Sequence, residues 1–290
     1  PISKINRAEN KRERLKEVLN REWYLLRGML SYSWAIFLFL LGGREAGKSY
    51  SVTDFCLNQW KKRKRPFYWL RLTEKSAGKL LSNNAEKLID PDLRRKYNLD
   101  LVTNGDCVYE VTKRSKPDKQ GKKKILEKKL MARVLALSTF YNDKGSGIFD
   151  KDFLDDPNMY YNLVLDEMNR EENEKNSFDI VYAFANQCEN IVRSTKDRLR
   201  VICIGNTLQE ASDILCAFNF IPEDFGRFKL KKKRAVIEYI EPSEKYLARR
   251  KGTIADILCP TSSTFTNKVQ TDDSIFLPMQ ITIDNMYERE

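Results

Sequence analysis

The chain contains, from residue 42 to residue 49, the stretch Gly42-Gly43-Arg44-Glu45-Ala46-Gly47-Lys48-Ser49. Eight apolar residues, Trp34 to Leu41, precede it, and a segment typical of a helix start follows at Tyr50. Glycines let the backbone of such a loop point its N–H groups at phosphate oxygens, and the following helix adds the positive end of its dipole. The pattern predicts a nucleotide site formed by residues 42–50, with Lys48 on the β- and γ-phosphates and Ser49 as a ligand of Mg²⁺.

A second strand-like stretch ends in two carboxylates. The largely apolar residues 160–165 lead into Asp166 and Glu167. Beside a phosphate loop, an aspartate at this place holds Mg²⁺, and the next glutamate polarises the attacking water. We therefore predict that Asp166 binds the metal and that Glu167 and Lys48 are catalytic, with ATP as the nucleotide. G proteins and small-molecule kinases usually lack this glutamate, so it favours an ATPase that moves something.

The order of the predicted elements indicates an α/β fold, with a mostly parallel central sheet flanked by helices. Further strands are predicted at residues 67–72, 198–206 and 235–240, and a helix at 176–193. The strand–loop–helix–strand unit around the phosphate loop predicts a parallel pair of strands. Asn206 ends one strand, where it would sense the γ-phosphate; a simple turn residue is the alternative.

Three regions are expected along the chain: a charged helix at 1–22, an ATPase domain at 23–242, and a linker with the start of a further domain at 243–290. The first region is either a basic arm or an exposed leader helix. The last begins with a charged helix at 244–251.

The net charge of +11 predicts a polyanionic partner such as nucleic acid, although a basic protein without such a partner remains an alternative. Positive charge is concentrated at residues 61–65, 113–124 and 229–234. Residues 113–124 carry seven positive charges and one negative charge between two predicted strands. This indicates a hairpin with a basic tip, which either contacts a phosphate backbone or is a solvated loop.

The composition also excludes several classes of protein. The chain has no histidine, which excludes catalytic triads and metal sites that need one. Its six cysteines contain no C-x-x-C pair, so buried free thiols in a reducing compartment are expected rather than disulfides or a zinc site. No apolar run approaches the ~20 residues that cross a bilayer, and no signal peptide is recognised, so we expect an intracellular protein without a membrane partner.

From about residue 23 to 250 the chain resembles the DNA packaging ATPases of small podophages with protein-primed genomes, which are relatives of the large terminase subunits. The resemblance is carried, in order and spacing, by Met29–Tyr32, Gly43-Arg44, Gly47–Tyr50, Leu165–Glu167 with Arg170-Glu171, and Arg200–Asn206. It implies a homo-oligomeric ring, a pentamer, that acts in the host cytoplasm at the portal of a procapsid and drives double-stranded DNA inward. A structural packaging RNA is left open as a further partner.

The resemblance also implies that Arg193 acts in trans on the ATP of a neighbouring subunit. Two residues depart from the family pattern. Glu45 stands where the family often has glycine, which places a carboxylate at an anion site. Arg193 lies one residue further from the following strand than expected, so Lys196 and Arg198 remain alternatives. The family usually carries a nuclease-like C-terminal domain, of which only the beginning fits after residue 250.

Two other functions remain open on the sequence. One is a different phosphate-loop motor, such as a helicase or a secretion ATPase. The other is a non-catalytic nucleic-acid-binding module, against which Glu167 argues, because a purely structural nucleotide site needs no carboxylate that activates water.

Overall fold

The structure is a computed structural model that describes residues 21–143, 160–169, 178–192, 198–205, 212–222, 225–254 and 257. Most of the predicted N-terminal helix, residues 1–20, lies outside this part of the chain. The strands are β1 (Phe37–Leu41), β2 (Phe67–Arg71), β3 (Leu101–Asn104), β4 (Cys107–Arg114), β5 (Ile125–Ala136), β6 (Tyr161–Asp166), β7 (Leu199–Gly205), β8 (Gly226–Leu230) and β9 (Ala235–Tyr239).

The α-helices are α1 (Arg27–Leu30), α2 (Lys48–Arg63), α3 (Glu74–Ala85), α4 (Pro91–Lys96), α5 (Ile180–Val192), α6 (Asp213–Ala217) and α7 (Glu244–Arg250). Two 3₁₀ helices lie at Leu137–Asp143 and Lys231–Lys233. The helices predicted at 176–193 and 244–251 correspond to α5 and α7.

The strands of the described residues form one sheet in the order β3-β4-β5-β2-β6-β7-β1-β9-β8. The strands from β5 to β9 in this order run parallel to their neighbours. Antiparallel strands complete both edges, β3 and β4 on one side and β8 on the other. The predicted α/β fold with a mostly parallel central sheet is confirmed.

The strands on either side of the phosphate-loop helix are not neighbours, contrary to the parallel pair predicted from the sequence. Two strands, β7 and β6, lie between β1 and β2. Both inserted strands are buried along almost their whole length, which makes them suited to the centre of the sheet. Their insertion places the carboxyl ends of four neighbouring strands, β1, β7, β6 and β2, side by side.

Helices cover both faces of the sheet, and the side chains of each strand alternate between two cores. In β1, Leu38 packs on one face in the same cluster as Trp60 of α2. Phe39 and Leu41 pack on the other face in the same cluster as Phe184 of α5. Burial on both faces explains why the central strands are continuous apolar runs rather than alternating ones.

The predicted basic hairpin is confirmed. Strands β4 and β5 pair antiparallel, and the second half of β5 also pairs parallel with β2. The hairpin is therefore continuous with the central sheet. At its tip, Ser115 N donates to Lys124 O at 2.8 Å, and a carboxylate oxygen of Asp118 accepts from the backbone N–H groups of Gln120 and Lys122.

Strand β8 was not predicted. The sequence indicated only a basic segment there, although the alternation of Arg227, Phe228, Lys229 and Leu230 is the signal of a half-exposed strand. Because β8 lies at the edge of the sheet and pairs with β9 alone among the described strands, its charged side chains remain at the surface.

No helix in the described residues is long and apolar enough to cross a membrane. The described cysteines are free thiols. Cys56 and Cys203 are buried, as expected, and burial raises the pKa of both thiols. Cys216 is exposed, and Cys259 lies outside the described residues.

Candidate nucleotide site

The phosphate loop connects the end of β1 to the start of α2, as its sequence predicts. Gly47 precedes α2 at φ +85°, and a Cβ there would lie 3.1 Å from the ring of Trp23, so both the conformation and the space favour glycine. Glu45 also has a positive φ, +59°, and it is not a glycine. Together with Gly42, at φ +154°, the loop therefore has a conformation that glycine favours at three places, one of which carries a carboxylate.

Lys48 lies inside the loop. Its ammonium group donates to the carbonyl oxygens of Gly42 at 2.5 Å and Gly43 at 2.7 Å, and only 4% of the residue is exposed. A buried cation beside the N-terminus of a helix is the environment that a phosphate group requires. The residues of the loop therefore fit a nucleotide.

Ser49 meets the end of strand β6. Its hydroxyl donates to Asp166 Oδ1 at 3.0 Å, which joins two segments that are 117 residues apart. Burial raises the pKa of Asp166, and the charge of Arg71 opposes that effect. The described residues contain no cluster of three or more His, Cys, Asp or Glu side chains that could hold a metal. A hydroxyl and one carboxylate suit Mg²⁺, which takes its other ligands from water and phosphate.

Arg71, the last residue of β2, is a member of the site that sequence reasoning missed. Its guanidinium bonds to Asp166 Oδ2 at 2.9 Å and also pairs with the carboxylate of Glu167. The available signal was an arginine at the carboxyl end of a buried strand. That signal could not be used without knowing that β2 and β6 are neighbours.

Glu167 follows β6 in the left-handed region, at φ +58°. Its side chain is about half exposed, whereas that of Asp166 is buried. The two carboxylates border a cleft of about 400 Å³ between α2, the end of β2 and the segment that joins α3 to α4. On this cleft, Arg71 Nε and Trp69 Nε1 are buried donors without a hydrogen-bond partner in the described part of the chain. Such donors fit a polar ligand or ordered water.

Three other predicted residues lie outside the described residues: Arg193, Lys196 and Asn206. Strand β7, which Asn206 follows, ends at Gly205 between β1 and β6. Arg198 is described and precedes β7; its carbonyl accepts from Tyr161 N at 3.1 Å, at the start of β6. Arg198 therefore lies at the amino ends of the central strands, whereas Asp166 lies at their carboxyl ends, about 16 Å away along β6.

The remaining loop residues contact helix α7, solvent or the segment before α1, where Tyr24 N donates to the carbonyl of Ala46 at 2.8 Å. The carbonyl of Arg44 accepts from the hydroxyl of Tyr246 at 2.8 Å, and the carbonyl of Glu45 accepts from Arg249 at 2.6 Å. Tyr50, just after the loop, is 45% exposed and borders the same surface depression as Ala46. The sequence placed α7 after the ATPase domain and did not predict these contacts.

The chain is similar to phage DNA packaging proteins. A family model described as podovirus DNA encapsidation protein (Gp16) matches residues 20–279. The DNA packaging protein of Bacillus phage phi29 is 24% identical over 260 residues, which cover 88% of this chain and 68% of that protein. The DNA packaging protein of Bacillus phage PZA is 25% identical over 210 residues, which cover 72% of this chain and 53% of that protein. The matches thus span about half to two thirds of these relatives.

Among solved structures, the crystal structure of the N-terminal domain of the DNA packaging ATPase from bacteriophage phi29 is similar to this chain, with a TM-score of 0.54 and 23% identity. The match covers 75% of this chain and 95% of that domain. At this level of identity the likeness shows a shared fold.

Proposed function

Since the chain belongs to the podovirus DNA encapsidation protein (Gp16) family, we propose that it hydrolyses ATP to move double-stranded DNA into a procapsid. The observation that carries this proposal is the contact between Ser49 and Asp166, because it joins the phosphate loop to the carboxylate pair at the end of β6. The loop alone would support nucleotide binding, whereas the two together support hydrolysis.

We assign the roles as follows. The backbone of residues 42–50 and the ammonium of Lys48 hold the phosphates, and Ser49 and Asp166 hold Mg²⁺. Glu167 orients and polarises the attacking water. Asn206 senses the γ-phosphate. The metal, when bound with ATP, neutralises the charge that develops on the phosphate oxygens.

Arg71 is a positioning residue in this proposal. Its guanidinium lies between Asp166 and Glu167, so it reduces the repulsion between two neighbouring carboxylates and restrains the side chain of Glu167. No partner of Glu167 could be identified from the sequence alone. A restrained carboxylate is of value here because the attacking water must be held in one direction.

The partners are proposed from the family and from charge. They are double-stranded DNA, the portal of a procapsid and further copies of this chain in a ring of five subunits, with the host cytoplasm as the compartment. A structural packaging RNA is a further candidate. The division into residues 1–22, 23–242 and 243–290 is retained as the proposed domain organisation, with the qualification that α7, which follows residue 242, packs on the phosphate loop.

The assignment is tested by two substitutions at the two ends of the site. We expect Lys48→Ala to weaken ATP binding, because it removes the cation inside the loop. We expect Glu167→Gln to retain ATP binding and to lower the hydrolysis rate by ~10²-fold or more, because it removes the group that polarises water. Binding is measured by calorimetry, and hydrolysis by phosphate release with and without double-stranded DNA.

The control is Glu74→Gln, which removes an exposed carboxylate at the start of α3. It should hydrolyse ATP at the parental rate. Hydrolysis by Glu167→Gln at the parental rate would contradict the assignment of this residue. A parental protein that binds no ATP would contradict the proposed function altogether.

A further inference from the structure

Helix α7 holds the phosphate loop from outside the sheet. Tyr246 donates its hydroxyl to the carbonyl of Arg44 at 2.8 Å, and Arg249 donates to the carbonyl of Glu45 at 2.6 Å. These acceptors belong to consecutive residues at the apex of the loop, and the donors lie 202 and 204 positions later in the chain. The guanidinium of Arg249 also stacks on Trp23, 3.8 Å from its ring centre. Helix α7 therefore contacts both the phosphate loop and the segment before α1.

A third contact on this surface is between two charges. The guanidinium of Arg250 pairs with the carboxylate of Glu45. The side chain of Arg250 is only 5% exposed, whereas that of Glu45 is 64% exposed. A buried guanidinium needs a counter-charge, and Glu45 supplies one. The pairing therefore compensates the charge that Arg250 brings into a buried position.

The same pair has a consequence for ligand binding. Glu45 is inside the loop that is built to receive an anion, between Arg44 and Ala46. An uncompensated carboxylate there would repel a nucleoside triphosphate. At the short distances between a loop side chain and bound phosphates, this repulsion would weaken binding by about 10-fold. A positive charge in contact with the carboxylate cancels most of this repulsion.

We propose that Arg250 is a positioning residue for nucleotide binding, which neutralises Glu45 and thereby makes the phosphate loop of this chain competent for ATP. The inference rests on the proposed function, since it concerns the same nucleotide site. It goes beyond the proposed function by assigning to α7, the helix after the sheet, a part in the phosphate loop of the same subunit. The pair acts in both directions. Arg250 neutralises the carboxylate of Glu45 in the phosphate loop, and Glu45 neutralises the buried guanidinium of Arg250.

The test is a double-mutant cycle on ATP affinity, measured by calorimetry with the full chain. Arg250→Ala should weaken ATP binding by about 10-fold, because Glu45 is left uncompensated. Glu45→Gln alone should bind ATP about 3-fold more tightly, because the charge of Arg250 then attracts phosphate. The double variant Glu45→Gln with Arg250→Ala should return to within about 3-fold of the parental affinity.

Two further measurements separate charge from folding. Lys251→Ala removes an exposed positive charge next to Arg250 and should leave the affinity within about 2-fold of the parental value, since surface charges are screened. Affinity for ADP, which carries less negative charge than ATP, should fall less than affinity for ATP in Arg250→Ala. An effect that is equal for both nucleotides would indicate a merely structural role and would overturn the inference.

The inference is overturned if Arg250→Ala binds ATP as the parental protein does, or if Glu45→Gln does not restore binding in the double variant. Should Arg250→Ala fail to fold, Glu45→Gln decides alone, and weaker ATP binding by that variant overturns the inference. Absence of ATP binding by the parental protein would instead count against the proposed function.

Discussion

At the scale of single residues, Glu110 is a buried carboxylate at the centre of a polar cluster away from the nucleotide site. It accepts hydrogen bonds from Trp60 Nε1 at 2.7 Å and Lys64 Nζ at 3.1 Å, and it also pairs with Lys61. Burial acts to raise the pKa of Glu110, but the bonds from Lys61, Lys64 and Trp60 outweigh it, so the pKa is lowered. The cluster fastens the C-terminal end of α2 to β4.

We expect Glu110→Gln to lower the free energy of unfolding at pH 7 by about 1–3 kcal/mol, because an ionised acceptor is lost. A lowered pKa stabilises the folded state above the ordinary glutamate value of 4.5, and that contribution disappears as the pH falls through the lowered value. The difference between the two proteins should therefore shrink in acid. Urea unfolding at pH 7 and below pH 4 measures it.

The matched control for this substitution is Glu127→Gln, which changes an exposed glutamate of β5. It should alter the free energy of unfolding by less than about 0.5 kcal/mol. If Glu110→Gln destabilised the protein equally at both pH values, the contribution of Glu110 would come from its shape and not from its charge.

At the scale of elements, the β4–β5 hairpin carries an exposed basic tip. Its tip has a formed turn around Asp118, and the lysines on either side are exposed. At the end of β4, next to the tip, Arg114 pairs with Asp100. The free ammonium groups at the tip suit contact with a phosphate backbone, because such contacts release counterions.

We expect Lys122→Gln with Lys123→Gln to weaken binding of double-stranded DNA and to reduce the salt dependence of the binding constant. The plot of log K against log salt has a negative slope, and each lost phosphate contact makes that slope less steep by about 0.9. The measurement is fluorescence anisotropy with two DNA duplexes of unrelated sequence, which should behave alike because phosphate contacts carry no base information.

The control for the hairpin variant is Lys75→Gln with Lys79→Gln, which removes two exposed charges from α3. If both double variants gave the parental slope, the tip would be a solvated loop, the alternative that the sequence left open. A strong preference for one of the two duplexes would contradict binding through phosphates alone.

At the scale of the whole molecule, we propose that a neighbouring subunit supplies one further positive charge for the transition state, in addition to Lys48 and Mg²⁺. Arg71 is the nearest cation to Glu167 in the described residues, but it is already paired with two carboxylates. Arg198, one of the candidate trans residues, lies at the amino ends of the central strands, whereas Asp166 lies at their carboxyl ends, so Arg198 cannot serve its own site. A ring brings such a residue to a neighbouring site.

The trans hypothesis for Arg193 is tested by mixing two inactive proteins, Arg193→Ala and Glu167→Gln. In a mixed ring, some interfaces pair an intact Glu167 with an intact Arg193, so part of the ATPase activity should return. An arginine supplied by a neighbour is worth ~10³–10⁵ in rate in related enzymes, so isolated subunits should be slow and activity should rise more than linearly with concentration.

The control for mixing is each variant with an excess of itself, which should remain inactive. If mixing restored nothing while both variants still assembled, Arg193 would not act in trans. Lys196 and Arg198 would then be tested in the same way.

The sequence by itself determined the features that depend on consecutive residues. The phosphate loop, the Asp166–Glu167 pair, the basic hairpin and helix α7 could be located because their signals are local: glycine spacing, an apolar run ending in carboxylates, and charge periodicity. The fold class followed because alternating strands and helices have few ways to pack. Strand β8 had a local signal as well, which its charge obscured.

Only the tertiary structure decided which of these features meet. All the central strands are apolar runs, so their composition does not specify a neighbour, and the insertion of β6 and β7 between β1 and β2 depends on packing across the whole sheet. The contact of Arg71 with Asp166 follows from the pairing of β2 with β6, and that of Arg250 with Glu45 follows from the pairing of β9 with β1. They join residues 95 and 205 positions apart, and no local pattern encodes a pairing at such separations.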